Sequence, residues 1–171
     1  MVQSHPEYEL RYRPATAADL PELVAMVFDD VLGATRESAA PDAMRCYEAA
    51  FEAISAQTGN QILVAEDNTG VIGMLQLTFI PGLSFQGGTR AQIETVRVKA
   101  SARGKGVGKQ LFRRAIEMAE QAGCAIVQLT TDRQRADAIR FYESIGFQPT
   151  HIGMKLRITP STRGAAGGEN G

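Results

Sequence analysis

The segment Arg97-Val98-Lys99-Ala100-Ser101-Ala102-Arg103-Gly104-Lys105-Gly106-Val107-Gly108-Lys109 constrains this chain more than any other. It joins a stretch with strand character, Ile93 to Val98, to an amphipathic one from about Gly106 to Ala122. In the latter, Val107, Leu111, Ala115, Met118 and Ala122 fall on one helical face. Glycines at such a junction let the backbone approach a ligand closely and point several N–H groups at one spot. The helix that follows aims the positive end of its dipole at the same spot. From Arg97 to Arg114 there are seven basic residues and no acidic one, in a chain whose 18 basic and 19 acidic residues otherwise balance to a net charge of -1. The chemistry that fits is a polyanionic group, most simply a pyrophosphate; the alternative is a tight turn with a solvated basic face. Two phosphate motifs are excluded by spacing. Three residues rather than four separate Gly104 from Gly108, and Lys109 is followed by Gln110, so this is not a Walker loop. Gly104-Lys105-Gly106 is followed too soon by Gly108 for the dinucleotide fingerprint.

Around this turn the chain alternates between the two periodicities. Tyr8 to Arg13 reads as a strand, and Thr16, with Asp19 three residues on, as the cap of a helix carrying Leu20, Leu23, Val24, Val27 and Val31 and ending at Gly33. A second helix is expected from about Pro41 to Thr58, with Met44, Tyr47, Phe51 and Ile54 as its apolar stripe. A hairpin follows: Ile62 to Ala65, a turn at Asp67-Asn68-Thr69-Gly70, and a return strand from Val71 to Ile80. Pro81 to Gly88 is a loop. After the glycine turn and its helix come a strand, Cys124 to Thr130, a short helix, Arg135 to Ser144, and one or two strands within Phe147 to Ile158. One domain over 1–159 suits a chain of 171 residues, and 160–171, with almost no large apolar side chain, reads as a disordered tail.

Arg103-Gly104-Lys105-Gly106-Val107-Gly108 resembles the coenzyme A pyrophosphate loop of the GNAT superfamily of acyl-CoA N-acyltransferases: Arg or Gln, two residues, Gly, one residue, then Gly or Ala. Arg103, Gly106 and Gly108 fill those positions. Ala138 to Phe147 resembles that superfamily's second hallmark, a helix ending in a tyrosine, here Tyr142, before a Gly-Phe pair, here Gly146-Phe147. The order of elements from about 8 to 158 is similar throughout. The resemblance implies an α+β or α/β fold: a mixed, mostly antiparallel central sheet of six to seven strands flanked by about four helices. It also implies acetyl-CoA as co-substrate, bound by Arg103, Gly104, Lys105, Gly106, Val107, Gly108 and Lys109, and by backbone groups of Val96, Arg97 and Val98. In the superfamily that strand splays from its neighbour and the coenzyme arm fills the gap. Many relatives carry asparagine where this chain has Arg135, a departure that bears on the contact to the coenzyme arm. Arg135 to Tyr142 is also similar to aminoalkylphosphonate acetyltransferases, over too short a stretch to name the acceptor.

The resemblance gives Tyr142 a role near the coenzyme sulfur, as general acid for the leaving thiolate. On the residues alone, Tyr142 reads as a buried aromatic with a satisfied hydroxyl. Attack on a thioester needs a neutral amine and hence a base. Strand alternation puts Glu94, Val96 and Val98 on one face, and Glu94 is the carboxylate there; the alternative is a surface charge paired with Arg90 or Arg97. Cys124 reads as a small core hydrophobe, His151 as structural, and no His, Asp or Glu spacing supports a metal. The acceptor pocket is expected from Gly33 to Pro41 and Pro81 to Arg90. The function so implied is direct acetyl transfer from acetyl-CoA to an amine of a small molecule or protein. A non-catalytic acyl-CoA-binding sensor is the alternative. Near-neutral charge argues against nucleic acid as a partner, and no apolar run reaches the ~20 residues of a membrane helix. A cytoplasmic location is expected, since Met1 to Pro6 shows no signal-peptide core, and a homodimer stays open.

Overall fold

The two periodicities resolve into strands and helices in the computed structural model, which describes residues 9–29, 41–156 and 158. β1 (Arg11–Pro14) leads through a 3-10 turn (Ala17–Asp19) into α1 (Leu20–Phe28) and α2 (Pro41–Ala56). Then come β2 (Asn60–Asp67), β3 (Gly70–Ile80), β4 (Thr89–Val98), α3 (Val107–Gln121), β5 (Cys124–Leu129) and α4 (Ala136–Ser144). The short segment Ser84–Gly87 is a left-handed turn, because Phe85 and Gln86 take φ of 54° and 59°. The strands lie in the order β1-β2-β3-β4-β5, antiparallel as far as β4 and parallel between β4 and β5.

Both faces of the sheet are covered, which is why Ile62 to Ala65 is continuously apolar rather than alternating. On one face Leu63, Leu75, Leu77, Ala91 and Ile93 pack against Leu111, Phe112, Ala115 and Ala119 of α3. On the other, Val64, Val71 and Met74 pack against Leu20, Leu23, Val24 and Met26 of α1 and Phe51 of α2. The expected mixed, mostly antiparallel sheet is observed, with one correction. Six to seven strands were expected, and the described residues hold five. Phe147 to Ile158 forms no strand among them. Pro149 offers no N–H to a ladder, and the apolar side chains Ile152, Met154, Leu156 and Ile158 stand exposed. Val31, Gly33 and the tail 160–171 lie outside the described residues.

The Thr16–Asp19 cap forms as the spacing predicts, and it does more than end a turn. Asp19 Oδ2 accepts from the Thr16 backbone N–H (2.7 Å) and its hydroxyl (2.9 Å). Arg13 of β1 donates to both Asp19 oxygens (2.7 and 2.8 Å) and through Nε to Glu66 of β2 (3.0 Å). These bonds, Arg13's above all, hold the Asp19 carboxyl well below the usual carboxylate range, against the opposing effect of burial. Asp19→Asn should therefore destabilise the protein at neutral pH by about 1–2 kcal/mol, the scale of a lost cap. Because the folded-state pKa is depressed, the contribution is complete above the unfolded value of about 3.9 and fades as pH falls below it. Thermal melts of the two proteins should differ at pH 7 and converge toward pH 2; a constant offset would show that ionisation of Asp19 is not what matters.

Candidate active site

The glycine turn is a formed cradle. Beyond β4 the chain makes a 3-10 turn, Ala100–Ala102, tied back to the sheet by Lys99 N–H to Ile72 O (2.9 Å). Gly104 and Gly106 then take φ of 75° and 79°, where a residue with a Cβ would be strained by roughly 1–2 kcal/mol. Gly106 is the N-cap of α3, and Gln110 N–H donates to its carbonyl at 3.1 Å. The N–H groups of Val107, Gly108 and Lys109 therefore have no acceptor within their own helix. Val107 is buried beside Ile72 and Ala102, which fixes where those N–H groups point. A Cβ on Gly108 would lie 3.6 Å from Phe141 Cζ and 3.8 Å from Val98 Cγ2, so it would project between the end of β4 and α4.

Two basic residues of the turn reach back to α1, a link between positions 74 residues apart that sequence reading missed. Arg103 donates through Nη2 to the Asp29 carboxylate (2.6 Å) and the Asp29 carbonyl (3.1 Å), and through Nε to Val98 O (3.1 Å). Lys99 Nζ lies 2.9 Å from Glu22 Oε1. Arg103 thus braces the turn as well as charging it.

Beside the cradle, β4 parts from β5. Their ladder runs from Thr89↔Cys124 to Ile93↔Leu129 and stops, leaving Glu94 to Val98 with no β5 partner. Within that stretch Thr95 takes φ of 51° and β4 carries one residue more than β3: Gln76 faces Glu94, Met74 faces Arg97, and Leu75 is skipped. This bulge corrects the expectation that Glu94, Val96 and Val98 share a face. Val96 and Val98 pack on the α3 side. Ile93 also packs there, so Glu94 points to the α1/α2 side together with its partner Gln76. Arg97, opposite Met74 of the α1/α2 cluster, points the same way, and its Nη1 donates to Val96 O (2.8 Å).

Tyr142 sits where these parts meet. α4 ends by Gly146, with φ of 100°, whose N–H donates to Glu143 O. The Tyr142 ring packs edge-on against Phe112, Phe141 and Phe147, with centroids 5.6, 5.6 and 6.2 Å away. Burial raises the pKa of its hydroxyl, while the charges of Arg135 and Arg97 pull it down. The net direction is upward, so the phenol is protonated throughout the neutral range.

Glu94 is exposed, and its surroundings are polar rather than apolar. Along the same face Gln76 and Thr78 donate to Asn60 Oδ1 (3.1 and 3.0 Å), and Gln128 donates to Gln92 Oε1 (2.7 Å) across the β4–β5 pair. This amide and hydroxyl floor was also missed from sequence. The period-two signal of Gln76 and Thr78 within β3, and of Gln92 and Glu94 within β4, could have shown it. Of the expected acceptor loops, Pro81 to Arg90 borders the N-terminal end of β5, with Gly88 beside Ala125; the stretch 33–40 lies outside the described residues. His151 is exposed and shares a 2.8 Å contact with Thr150 Oγ1. Asp132 accepts from the Gln134 N–H. Burial raises the Cys124 thiol pKa, keeping it protonated as a small partly buried side chain. No described helix is long and apolar enough to cross a membrane, and no described group of three or more His, Cys, Asp or Glu could hold a metal.

A splayed mixed sheet with a glycine-cradled helix start at the splay defines the class of fold. The acetyltransferase (GNAT) family model matches residues 24–147, and the chain belongs to that family. A probable glucosamine 6-phosphate N-acetyltransferase 2 of Oryza sativa subsp. japonica is 35% identical over 126 residues, 70% of this chain and 74% of the relative. An L-methionine sulfoximine/L-methionine sulfone acetyltransferase of Pseudomonas paraeruginosa is 31% identical over 151 residues, 84% of this chain and 86% of the relative. A crystal structure from Bacillus halodurans C-125, described as a transcriptional regulator, is 45% identical and superposes with a TM-score of 0.83, covering 88% of this chain and 100% of that one.

Gly108→Val should weaken coenzyme A binding by roughly tenfold or more, about 1.4 kcal/mol, because the added methyls fill the space beside Val98 and Phe141. Calorimetry on the folded variant checks this; unchanged affinity would remove the cradle from the coenzyme site.

Proposed function

We propose that the chain is an acetyl-CoA-dependent N-acetyltransferase that transfers the acetyl group directly to the amine of a small molecule. The observation that carries the reading is the junction of two backbone features: the N-terminus of α3 and the β4 edge beyond Ile93, where the ladder to β5 stops. Bound there, acetyl-CoA would supply a thioester activated toward amines. The N–H groups of Val107, Gly108 and Lys109, with the charge of Arg103, Lys105 and Lys109, suit the pyrophosphate. The backbone of Val96, Arg97 and Val98, beyond the end of the β5 ladder, can hydrogen-bond an amide-bearing arm and polarise the thioester carbonyl. Tyr142, protonated at neutral pH, can donate its proton to the sulfur as the C–S bond breaks and the C–N bond forms. Glu94, on the polar face, can take the proton the amine loses, through water. That floor of neutral amides and hydroxyls suits a small polar acceptor, and the rice and Pseudomonas relatives are named for such amines.

The direct test is thiol release from acetyl-CoA with a panel of amino sugars, amino acids and aminoalkyl acids. Turnover with at least one, and none without an amine, is expected. Coenzyme A binding with no turnover on any amine would leave only a binding module. Tyr142→Phe should lower kcat by about 10²- to 10⁴-fold with acetyl-CoA affinity within a few-fold; an unchanged kcat would make Tyr142 a packing residue only. Glu94→Gln should lower the rate and flatten the acidic limb of kcat/KM against pH, whereas retention of both would place the base elsewhere.

A further inference from the structure

Gln76 is the residue of the polar face that the reaction above gives no task. It lies on β3 directly opposite Glu94 of β4, and cross-strand partners have Cβ atoms about 4.5–5.5 Å apart. Its amide is fixed from the other side. Gln76 Nε2 donates to Asn60 Oδ1 of β2 at 3.1 Å, and the Thr78 hydroxyl donates to the same oxygen at 3.0 Å. Asn60 Nδ2 in turn donates to Gln57 Oε1 at 2.9 Å, and the Asn60 main-chain N–H donates to Gln57 O at 3.1 Å. A chain of amides thus runs from just beyond the end of α2, across β2, to β3.

A planar amide that turns its nitrogen to β2 turns its carbonyl oxygen away from β2, and β4 is the neighbour on that side. Gln76 Oε1 accepts from no described residue. It and the Glu94 carboxylate are therefore two hydrogen-bond acceptors side by side on one face of the sheet, at the point where the β4–β5 ladder stops. A neutral primary amine has two N–H donors and one lone pair. Both acceptors stand on the β3–β4 side of the gap. An amine that gives one N–H to each keeps its lone pair directed at the gap, where the thioester would lie.

We propose that Gln76 Oε1 binds one N–H of the acceptor amine and, with Glu94, aims its lone pair, so that the site selects primary over secondary amines. Asn60 is the positioning residue that holds the Gln76 amide. The inference rests on the reading of the site as an N-acetyltransferase. As the C–N bond forms and the C–S bond breaks, the amine's proton passes through water to Glu94 and Tyr142 gives its own to the sulfur. Gln76 takes no proton, because an amide oxygen is too weak a base; it only keeps its hydrogen bond. A secondary amine has a carbon where one N–H should be. It leaves either Gln76 Oε1 or Glu94 facing that carbon without a donor, and an acceptor so stranded is what discriminates against it.

The test uses the full chain, acetyl-CoA, the primary amine of the panel that turns over fastest, and the N-methyl derivative of that amine. The wild type should prefer the primary amine. Gln76→Met keeps the length of the side chain and removes the acceptor. It should lower kcat/KM for the primary amine about 10- to 100-fold, the range of one hydrogen bond to a charged group. It should also lose most of the preference over the N-methyl derivative and bind acetyl-CoA as before. Asn60→Leu should lower the same kcat/KM but add little to the loss in the double variant, because Asn60 acts through Gln76. Should Gln76→Met fail to fold, Gln76→Asn, polar but one methylene shorter, reads the same preference. Equal turnover of the two amines by the wild type, an unchanged preference in the Gln76 variant, or losses at 60 and 76 that multiply independently would overturn the proposal. No turnover by the wild type on any amine would remove the proposed reaction and this inference with it, whereas a fully active Gln76→Met would remove this inference alone.

Discussion

One extra residue in β4 sets the geometry of everything around it. β3 and β4 pair without interruption from Ile80↔Arg90 to Gln76↔Glu94, and again at Met74↔Arg97, but between these β4 has Thr95 and Val96 where β3 has only Leu75. The insertion forces Thr95 into a positive φ and turns every later side chain of β4 to the opposite face from the one alternation would give. Glu94 and Arg97 then both face α1 and α2, while Val96 and Val98 stay with α3. A bulge also increases local twist, and the ladder to β5 ends just before it, at Ile93↔Leu129. A strand that has turned away from its neighbour presents its main chain along that side, and an extended ligand can lie against it.

The cradle at the far end of β4 is held from two sides. From the sheet, Gly73 lets α3 approach closely: a Cβ there would sit 3.2 Å from Val107 Cγ1 and 3.4 Å from Arg97 O. From α1, Asp29 holds Arg103 and Glu22 holds Lys99. Both ion pairs join partly exposed side chains, so each is worth little as stability. Their consequence is positional, since they fix the glycine turn to the helix that begins at the Asp19 knot. Elements far apart in sequence are thereby tied to one turn, while Tyr142 packs on Phe112 of the helix that the turn opens.

The helix and strand periods, the cap at Thr16 and the glycine turn were legible because each is a local signal. Gly106 and Gly146 fall at helix ends with positive φ, as their positions suggest. The bulge was not legible: Ile93 to Val98 contains no glycine, and its extra residue exists only relative to β3. For the same reason the face of Glu94 was misassigned, since alternation holds only along an unbroken strand. The Arg103–Asp29 bond was hidden by sequence distance, and the polar floor by the habit of reading amides as solvated surface. One or two strands were expected within Phe147 to Ile158 and none forms there among the described residues, because Pro149 offers no N–H to a ladder and Ile152, Met154, Leu156 and Ile158 find no face to cover.

The attachment of β5 bears on the cleft itself. β5 is held to the sheet by a short parallel ladder on one side only, and parallel pairing is the weaker kind per residue. Beyond Leu129 nothing in the sheet ties the strand to β4, so the width of the splay depends on what restrains β5 from outside. α4 contributes through Phe141 and Tyr142, which pack against Phe112.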